Sequence, residues 1–90
     1  MKKLYKFFWD CYRGGCVEGV FAEEEEEVAK IIGEEIYFGE ILGKHSEVCG
    51  TIKKNDIKVL SEDQDFIEKF EQIVGSTGYN PVSYFRDREE

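Results

Sequence analysis

The chain has 90 residues, of which 41% are hydrophobic and 14% are aromatic, with a single proline. This length and composition predict one ordered domain with a single compact core, and they exclude an enzyme built around a deep two-lobed cleft. The formal net charge of -8 argues against direct binding of nucleic acid, because phosphate groups are bound by clustered lysine and arginine.

The same sequence argues against a membrane protein. No apolar run approaches the roughly 20 residues that cross a bilayer, and the opening residues 1–12 lack the small-residue cleavage site of a secretory signal. We therefore expect a cytoplasmic protein with no membrane attachment. Its three cysteines, Cys11, Cys16 and Cys49, are an odd number, which predicts reduced thiols rather than a disulfide framework.

The first predicted elements form a β-hairpin. Residues 3–12 are rich in aromatic side chains and predict a strand, Gly14 and Gly15 predict a turn, and residues 16–21 predict the returning strand. Strand alternation places large apolar side chains on both faces of the first strand: Tyr5, Phe7 and Trp9 on one face, and Leu4 and Phe8 on the other. A homo-oligomer is one way in which the second set would be covered.

A run of five carboxylates follows the hairpin, made up of Glu23, Glu24, Glu25, Glu26 and Glu27. Carboxylates are favoured in the first turn of a helix, and the apolar residues Val28, Ile31 and Ile32 then recur at helical spacing before Gly33. The pattern predicts a first helix that starts in the glutamates. It makes these five side chains a candidate interaction surface, whereas metal binding and DNA mimicry are favoured less.

Three further strands are predicted after this helix, over residues 34–42, 47–53 and 57–60. Gly39 and Gly50 fall inside the first two, where glycine is typical of a bulge or of a place where another group lies close to the backbone. A polar loop, Gly-Lys-His-Ser, joins these two strands.

A second helix is predicted to begin at Ser61, because Ser61 with Gln64 three positions later matches a capping box. Its apolar side chains share one helical face: Phe66, Ile67, Phe70, Ile73 and Val74. Residues 75–81 predict a turn-rich loop, and residues 82–85 a brief strand or a turn of helix. The element order ββαβββα predicts an α+β domain whose antiparallel sheet of four to five strands carries two helices on one face.

The polar loop is the candidate ligand site. Arg13 and Lys44 would form a basic spot if the hairpin turn and the loop lie at the same end of the sheet, and neighbouring amides and side chains would help to hold a small anionic ligand. The candidate ligand-binding residues are Asp10, Arg13, Glu40, Gly43, Lys44, His45, Ser46, Glu47, Tyr79 and Asn80.

The same loop contains the chain's only histidine, His45, whose ordinary pKa of about 6.5 suits proton transfer near neutrality. Adjacent Ser46 and Glu47 do not by themselves make a catalytic triad, so no catalytic residue is assigned. Cys11, Cys16, His45 and Cys49 have the ligand types of a zinc site, but their spacing does not match a zinc ribbon. The sequence therefore predicts neither a metal nor a cofactor.

Several motifs together resemble a family of small phage and bacterial proteins of about this length. They are YFGE at residues 37–40, LGKHSEV at 42–48 and GYNP at 78–81, with FWDC at 8–11 and VEGVF at 17–21. The resemblance implies an accessory factor of phage type that acts on the host, and it implies no catalytic residue, cofactor or fold.

Two functions of a non-enzymatic binding protein remain open at this point. The first, slightly favoured by the measured charge, is an accessory or anti-defence factor whose acidic surface blocks a host or bacterial protein with a basic surface. The second is a protein that binds or sequesters a nucleotide signal through the Gly43–Glu47 loop. A small hydrolase that uses His45 is favoured less than either.

Overall fold

The structure is a computed structural model of the chain, and it describes residues 1–10, 15–41 and 47–88. The strands are β1 (Lys2–Asp10), β2 (Cys16–Glu24), β3 (Glu35–Gly39), β4 (Val48–Thr51), β5 (Ile57–Ser61) and β6 (Ser76–Gly78). The helices are α1 (Glu25–Ile31), α2 (Gln64–Ile73) and α3 (Pro81–Arg88), and a 3₁₀ turn covers Lys54–Asp56. None of the helices in these ranges is both long and apolar enough to cross a membrane.

The predicted α+β class and the antiparallel sheet are confirmed. The main sheet has four strands in the order β5-β1-β2-β6, and each pairing is antiparallel. Strands β3 and β4 are paired with each other in a separate two-stranded sheet. The central hairpin of β1 and β2 is the longest pairing, running from Lys2 opposite Glu24 to Asp10 opposite Cys16.

One face of the main sheet carries the hydrophobic core. Tyr5 and Phe7 point to this face from β1, in keeping with the predicted alternation, and both are buried. Helices α1 and α3 contact each other on the same side, whereas α2, the second helix of the prediction, packs against β1 away from them, so the two predicted helices do not share one face. The buried cluster joins α1, α3, the main sheet and the second sheet through Val17, Phe21, Val28, Ile31, Ile36, Phe38, Val48, Ile52, Ile57 and Val82.

Helix α2 lies against the opposite face, near the start of β1. Leu4 alternates with Tyr5 and is buried outside the main cluster, as is Ile67 of α2. Gln64 Nε2 donates a 2.8 Å hydrogen bond to the carbonyl of Lys2, and Lys2 Nζ donates a 2.9 Å bond to Glu71. These contacts fix the helix across one end of the sheet and leave the other end of that face uncovered by α2.

The two glycines that were singled out in the sequence are both at special positions. A Cβ at Gly50 would lie 3.4 Å from Cη2 of Trp9, in van der Waals contact with the indole ring, which lies over the backbone there. Gly39 has a φ of 85° at a register shift between β3 and β4, which is the predicted bulge.

Two predicted helix starts differ from the structure. Glu23 and Glu24 extend β2, and α1 begins only at Glu25. Ser61 ends β5, whereas Asp63 is the N-cap of α2 and accepts hydrogen bonds from the amides of Asp65 and Phe66. The prediction of Ser61 as the cap was wrong because Ser61 is still paired with Leu4 in the sheet, so the helix begins only after Asp63, whose side chain is also a favoured N-cap.

The C-terminal segment also differs from its prediction. The loop predicted over residues 75–81 contains a short strand, β6, that pairs with β2. Residues 81–88 form a helix of eight residues, and Asn80 Oδ1 caps it by accepting a 2.9 Å bond from the amide of Val82. Pro81 suits the first position of this helix because that position needs no amide hydrogen.

Candidate functional site

A shallow groove of about 500 Å³ lies between α2 and the paired ends of β1 and β2. Its lining residues are Met1, Lys2, Glu24, Gln64, Ile67, Glu68, Glu71 and Gln72. The groove forms because α2 crosses the sheet with Ile67 turned towards it. The side chains on one flank of the helix then lie along the end of the sheet. We call this feature the acidic groove.

The acidic groove carries more negative than positive charge. Three carboxylates line it, from Glu24, Glu68 and Glu71, together with two ammonium groups, the side chain of Lys2 and the amino terminus of Met1, which lies 3.0 Å from Glu24. The hydrogen bond to Glu71 raises the pKa of Lys2 above its ordinary value of 10.5, so its ammonium is charged at neutral pH and engaged with one of the three carboxylates. With three carboxylates and two ammonium groups, the groove keeps a net negative charge.

The five glutamates of the candidate interaction surface do not form one exposed helix start. Glu23 is buried, with 8% of its surface exposed, and Glu24 and Glu27 are half-buried. Glu25 and Glu26 are exposed, and Glu25 lies 3.5 Å from Lys3. Glu24, at the end of β2, also lines the acidic groove, so the run continues into that groove through this residue.

Half of the predicted ligand site can be followed in the structure. Arg13, Gly43, Lys44, His45 and Ser46 lie outside the described residues, so their placement stays a prediction. Asp10, Glu40 and Glu47 are exposed, and Tyr79 and Asn80 are half-buried. A hydrogen bond to Glu47 raises the pKa of the Tyr37 phenol above its ordinary value of 10.0.

Several of these residues lie next to a cluster of aromatic rings. Phe38 is at its centre, with its ring centroid 5.5 Å from Trp9, 5.9 Å from Tyr79 and 4.6 Å from Tyr84. Asp10 follows Trp9 and Glu40 lies two residues after Phe38. The rings bring the ends of β1, β3 and β6 together, while Asn80 is occupied in capping α3. Of the described residues of the predicted site, Tyr79 packs in the ring cluster and Asn80 caps α3, whereas Asp10, Glu40 and Glu47 are exposed.

The cysteines do not gather in the described part of the chain. Cys16 and Cys49 are exposed free thiols, and Cys11 lies outside the described residues. Within residues 1–10, 15–41 and 47–88, no three His, Cys, Asp or Glu side chains are close enough to hold a metal ion. Zinc binding by a set that includes Cys11 and His45 stays untested.

Glu68, Glu71 and Lys2 are the groove residues that sequence reasoning missed. The hydrogen bond between Lys2 and Glu71 joins positions 69 residues apart in the chain, so no local sequence pattern predicts it. The one available signal was the apolar stripe of the second helix, because Ile67 at its centre places Glu68 and Glu71 on an adjoining flank. That signal locates the flank but not the strand ends that complete the groove.

No family model, curated protein or solved structure matches the chain. The resemblance to small phage and bacterial proteins accordingly stays an expectation, and the site is interpreted from its geometry alone.

Proposed function

We propose that this protein is a non-enzymatic binding module whose acidic groove receives a basic segment of a partner protein. The observation that carries the proposal is the set of three carboxylates around two ammonium groups that are already paired, the amino terminus with Glu24 and Lys2 with Glu71. An arginine or lysine of the partner would neutralise Glu68, which takes part in no ion pair among the described residues, and its aliphatic portion would lie over Ile67.

The rest of the molecule supports a basic partner. The net charge of -8 favours encounter with a positively charged surface and raises the association rate. Exposed Glu25 and Glu26 extend the negative field beyond the groove. The resemblance noted in the sequence would make the partner a host or bacterial protein, and the module an accessory or anti-defence factor that blocks it.

A direct test uses a labelled synthetic peptide of alternating arginine and leucine, and fluorescence anisotropy as the measurement. We expect binding that weakens as sodium chloride increases, because salt screens exposed charges. A peptide of the same pattern with glutamate in place of arginine should not bind. Equal binding of both peptides, or binding of neither, would contradict the proposal.

Matched single substitutions test whether the groove is the site. Glu68→Gln should weaken binding of the arginine peptide about two- to fivefold, the effect of one exposed ion pair. Glu34→Gln removes one exposed carboxylate outside the groove and should leave the affinity close to that of the wild type. Equal losses in the two variants would show that net charge, rather than the acidic groove, determines binding.

A further inference from the structure

Helix α2 runs across the strands of the main sheet, from one edge to the other. It follows Ser61, the last residue of β5, and precedes Ser76, the first residue of β6, and these two strands are the sheet edges. Ser61 pairs with Leu4 and Ser76 with Phe21, so both ends of the connection lie near the start of β1. The ten residues of α2 span about 15 Å, which matches three strand spacings of about 4.8 Å.

The part of this face that lies beyond α2, towards the end of β1, is exposed. Its residues share one side of the sheet, because they alternate with the buried positions of the core face or pair with residues that do. They are Lys6 and Phe8 of β1, Lys58 of β5, and Glu18 and Val20 of β2. We call them the open half. It is positive towards β5, where the two lysines are paired, and negative towards β2.

One flank of α2 borders the open half. Side chains in a helix advance by about 100° per residue, and Glu68 and Glu71 lie on the flank of α2 that lines the acidic groove. The opposite flank faces the open half and is apolar, with Phe66, Phe70 and Ile73. Phe66 has 50% of its surface exposed and Ile73 has 81%. Their spacing of four and then three residues is that of a seam between two packed helices.

The outer side of α2 carries two exposed charges in a definite order. Asp65 and Lys69 lie two residues before and two residues after buried Ile67, so both point away from the sheet. Asp65 is in the first turn, towards β5, and Lys69 lies about 6 Å further along the helix, towards β2. This order is complementary to the open half. No ion pair among the described residues involves either side chain.

We propose that a second copy of this chain covers the open half, in a two-fold dimer whose axis runs across the strands, parallel to α2. Rotation about this axis places the two α2 helices side by side in one layer between the two sheets, with their apolar flanks in contact. The rotation also keeps β5 over β5 and β2 over β2. Asp65 of the second copy then lies over the Lys6 and Lys58 pair, its Lys69 lies over Glu18, and symmetry forms the same contacts again.

The dimensions of the fold suit this arrangement. Packed helices lie about 8–10 Å apart, which equals about three residues along a strand. Since α2 crosses β1 at Leu4, the second helix lies at the level of Phe7, between Lys6 and Phe8 on the open half. The sheets stay a helix layer apart, and the charges of each sheet are met by the helix of the other copy. The aliphatic part of Lys69 covers Phe8.

The charge order selects a second copy over a purely acidic or purely basic partner, because either would be repelled by one side of the open half. The dimer goes beyond the binding of a basic segment and does not rest on it. The acidic groove uses the flank of α2 that points away from the axis. Glu68→Gln should therefore remain dimeric, and a monomeric variant should still bind the arginine peptide, so either proposal can fail alone.

The mass in solution tests the dimer. Size-exclusion chromatography with light scattering, from micromolar to sub-millimolar concentration, should give twice the chain mass of 10.5 kDa. Ile73→Ser should weaken the dimer about tenfold or more, as expected for an apolar side chain in the seam. Ile32→Ser, which changes an exposed isoleucine after α1, is the matched control and should remain dimeric. Circular dichroism checks that both variants are folded.

A charge-swap mixture tests the direction of the axis. Lys69→Glu sets two carboxylates against each other in a homodimer, and Glu18→Lys sets two ammonium groups against each other, so each variant alone should dimerise about tenfold more weakly. An equal mixture should recover the wild-type dimer, since both contacts then join opposite charges. Lys30→Glu makes the same charge change on α1, at the opposite face, and should dimerise normally. A monomeric wild type, an Ile73→Ser variant that dimerises as tightly as the wild type, or a mixture without recovery would overturn the proposal.

Discussion

Trp9 Nε1 donates a 2.9 Å hydrogen bond to Oδ2 of Asp56, which joins β1 to the 3₁₀ turn before β5. The same carboxylate oxygen accepts a 2.8 Å bond from the amide of Lys53. Asp56 therefore holds the turn closed and at the same time fixes the indole ring that lies over Gly50 and against Phe38.

We expect Asp56→Ala to lower the free energy of unfolding by about 1–3 kcal/mol, because it removes two hydrogen bonds to a charged acceptor. Urea unfolding measures the loss, and the fluorescence of Trp9, the single tryptophan, also reports whether the ring becomes more exposed. Asp56→Asn keeps one side-chain oxygen as an acceptor and should lose less. A stability of Asp56→Ala equal to that of the wild type would show that the bond is not maintained in solution.

Gly19 of β2 and Gly78 of β6 face each other across the sheet, and neither position has room for a side chain. A Cβ at Gly19 would collide with the backbone oxygen of Tyr79 and lie 2.7 Å from that of Thr77. We expect Gly19→Ala to cost about 1–3 kcal/mol and to loosen β6. Faster hydrogen exchange of the Tyr79 amide, which bonds to the carbonyl of Glu18, would measure the loosening.

Gly75→Ala is the control for Gly19→Ala. Gly75 has a φ of 82° with open space around it, so alanine there is strained without a collision. This variant should lose stability but keep the exchange protection of Tyr79. Loss of that protection in both variants to the same degree would mean that β6 responds to global stability rather than to the close approach of the two strands.

Local patterns predicted those elements whose stabilising contacts are close in the chain. The hairpin of β1 and β2 follows from an aromatic-rich run and a second strand-like run on either side of two glycines, and α2 follows from its apolar spacing. Strand β6 could not be predicted, because Ser76, Thr77 and Gly78 have no strand pattern and pair only where Gly19 lets them approach. The separation of β3 and β4 from the main sheet likewise depends on which distant strands pair, a choice that local propensity does not encode.

The candidate site was likewise predicted only in part from the sequence. The carboxylate run at residues 23–27 was visible in the sequence, and Glu24 does line the acidic groove. Its other walls come from Lys2 and α2, which meet only after the sheet has formed. Another group was predicted to lie beside Gly50, and the structure places the indole ring of Trp9 there, at a distance where a Cβ would make ordinary van der Waals contact.

The start of α2 offers a further stability test, because the sequence and the structure favour different capping residues. Asp63 Oδ1 accepts bonds of 3.1 Å and 3.3 Å from the amides of Asp65 and Phe66. Asp63→Ala should therefore cost about 0.5–2 kcal/mol, the usual loss of an N-cap. Ser61→Ala removes a single acceptor for the amide of Asp63 and should cost less. Thermal unfolding measures the loss of stability in both variants. A larger loss for Ser61→Ala than for Asp63→Ala would show that Ser61 is the cap, as predicted from the sequence.

The buried phenol of Tyr5 makes the stability of the fold decrease at alkaline pH. Burial raises the pKa of its phenol above the ordinary value of 10.0, and the ring stacks on Phe21 in the core. The folded chain thus keeps a proton that the unfolded chain releases above about pH 10. This contribution to stability is complete below the unfolded pKa and is lost as pH rises through the folded pKa.

The expected result is a urea midpoint that falls between about pH 9 and pH 11, with a smaller fall in Tyr5→Phe. The raised pKa of Lys2 acts in the same direction, so some pH dependence should remain in that variant. Tyr37→Phe is the matched control, because Tyr37 is 53% exposed and its pKa is raised chiefly by a surface hydrogen bond to Glu47. A pH dependence that Tyr5→Phe leaves unchanged would mean that the phenol of Tyr5 ionises as readily in the folded chain as in the unfolded one.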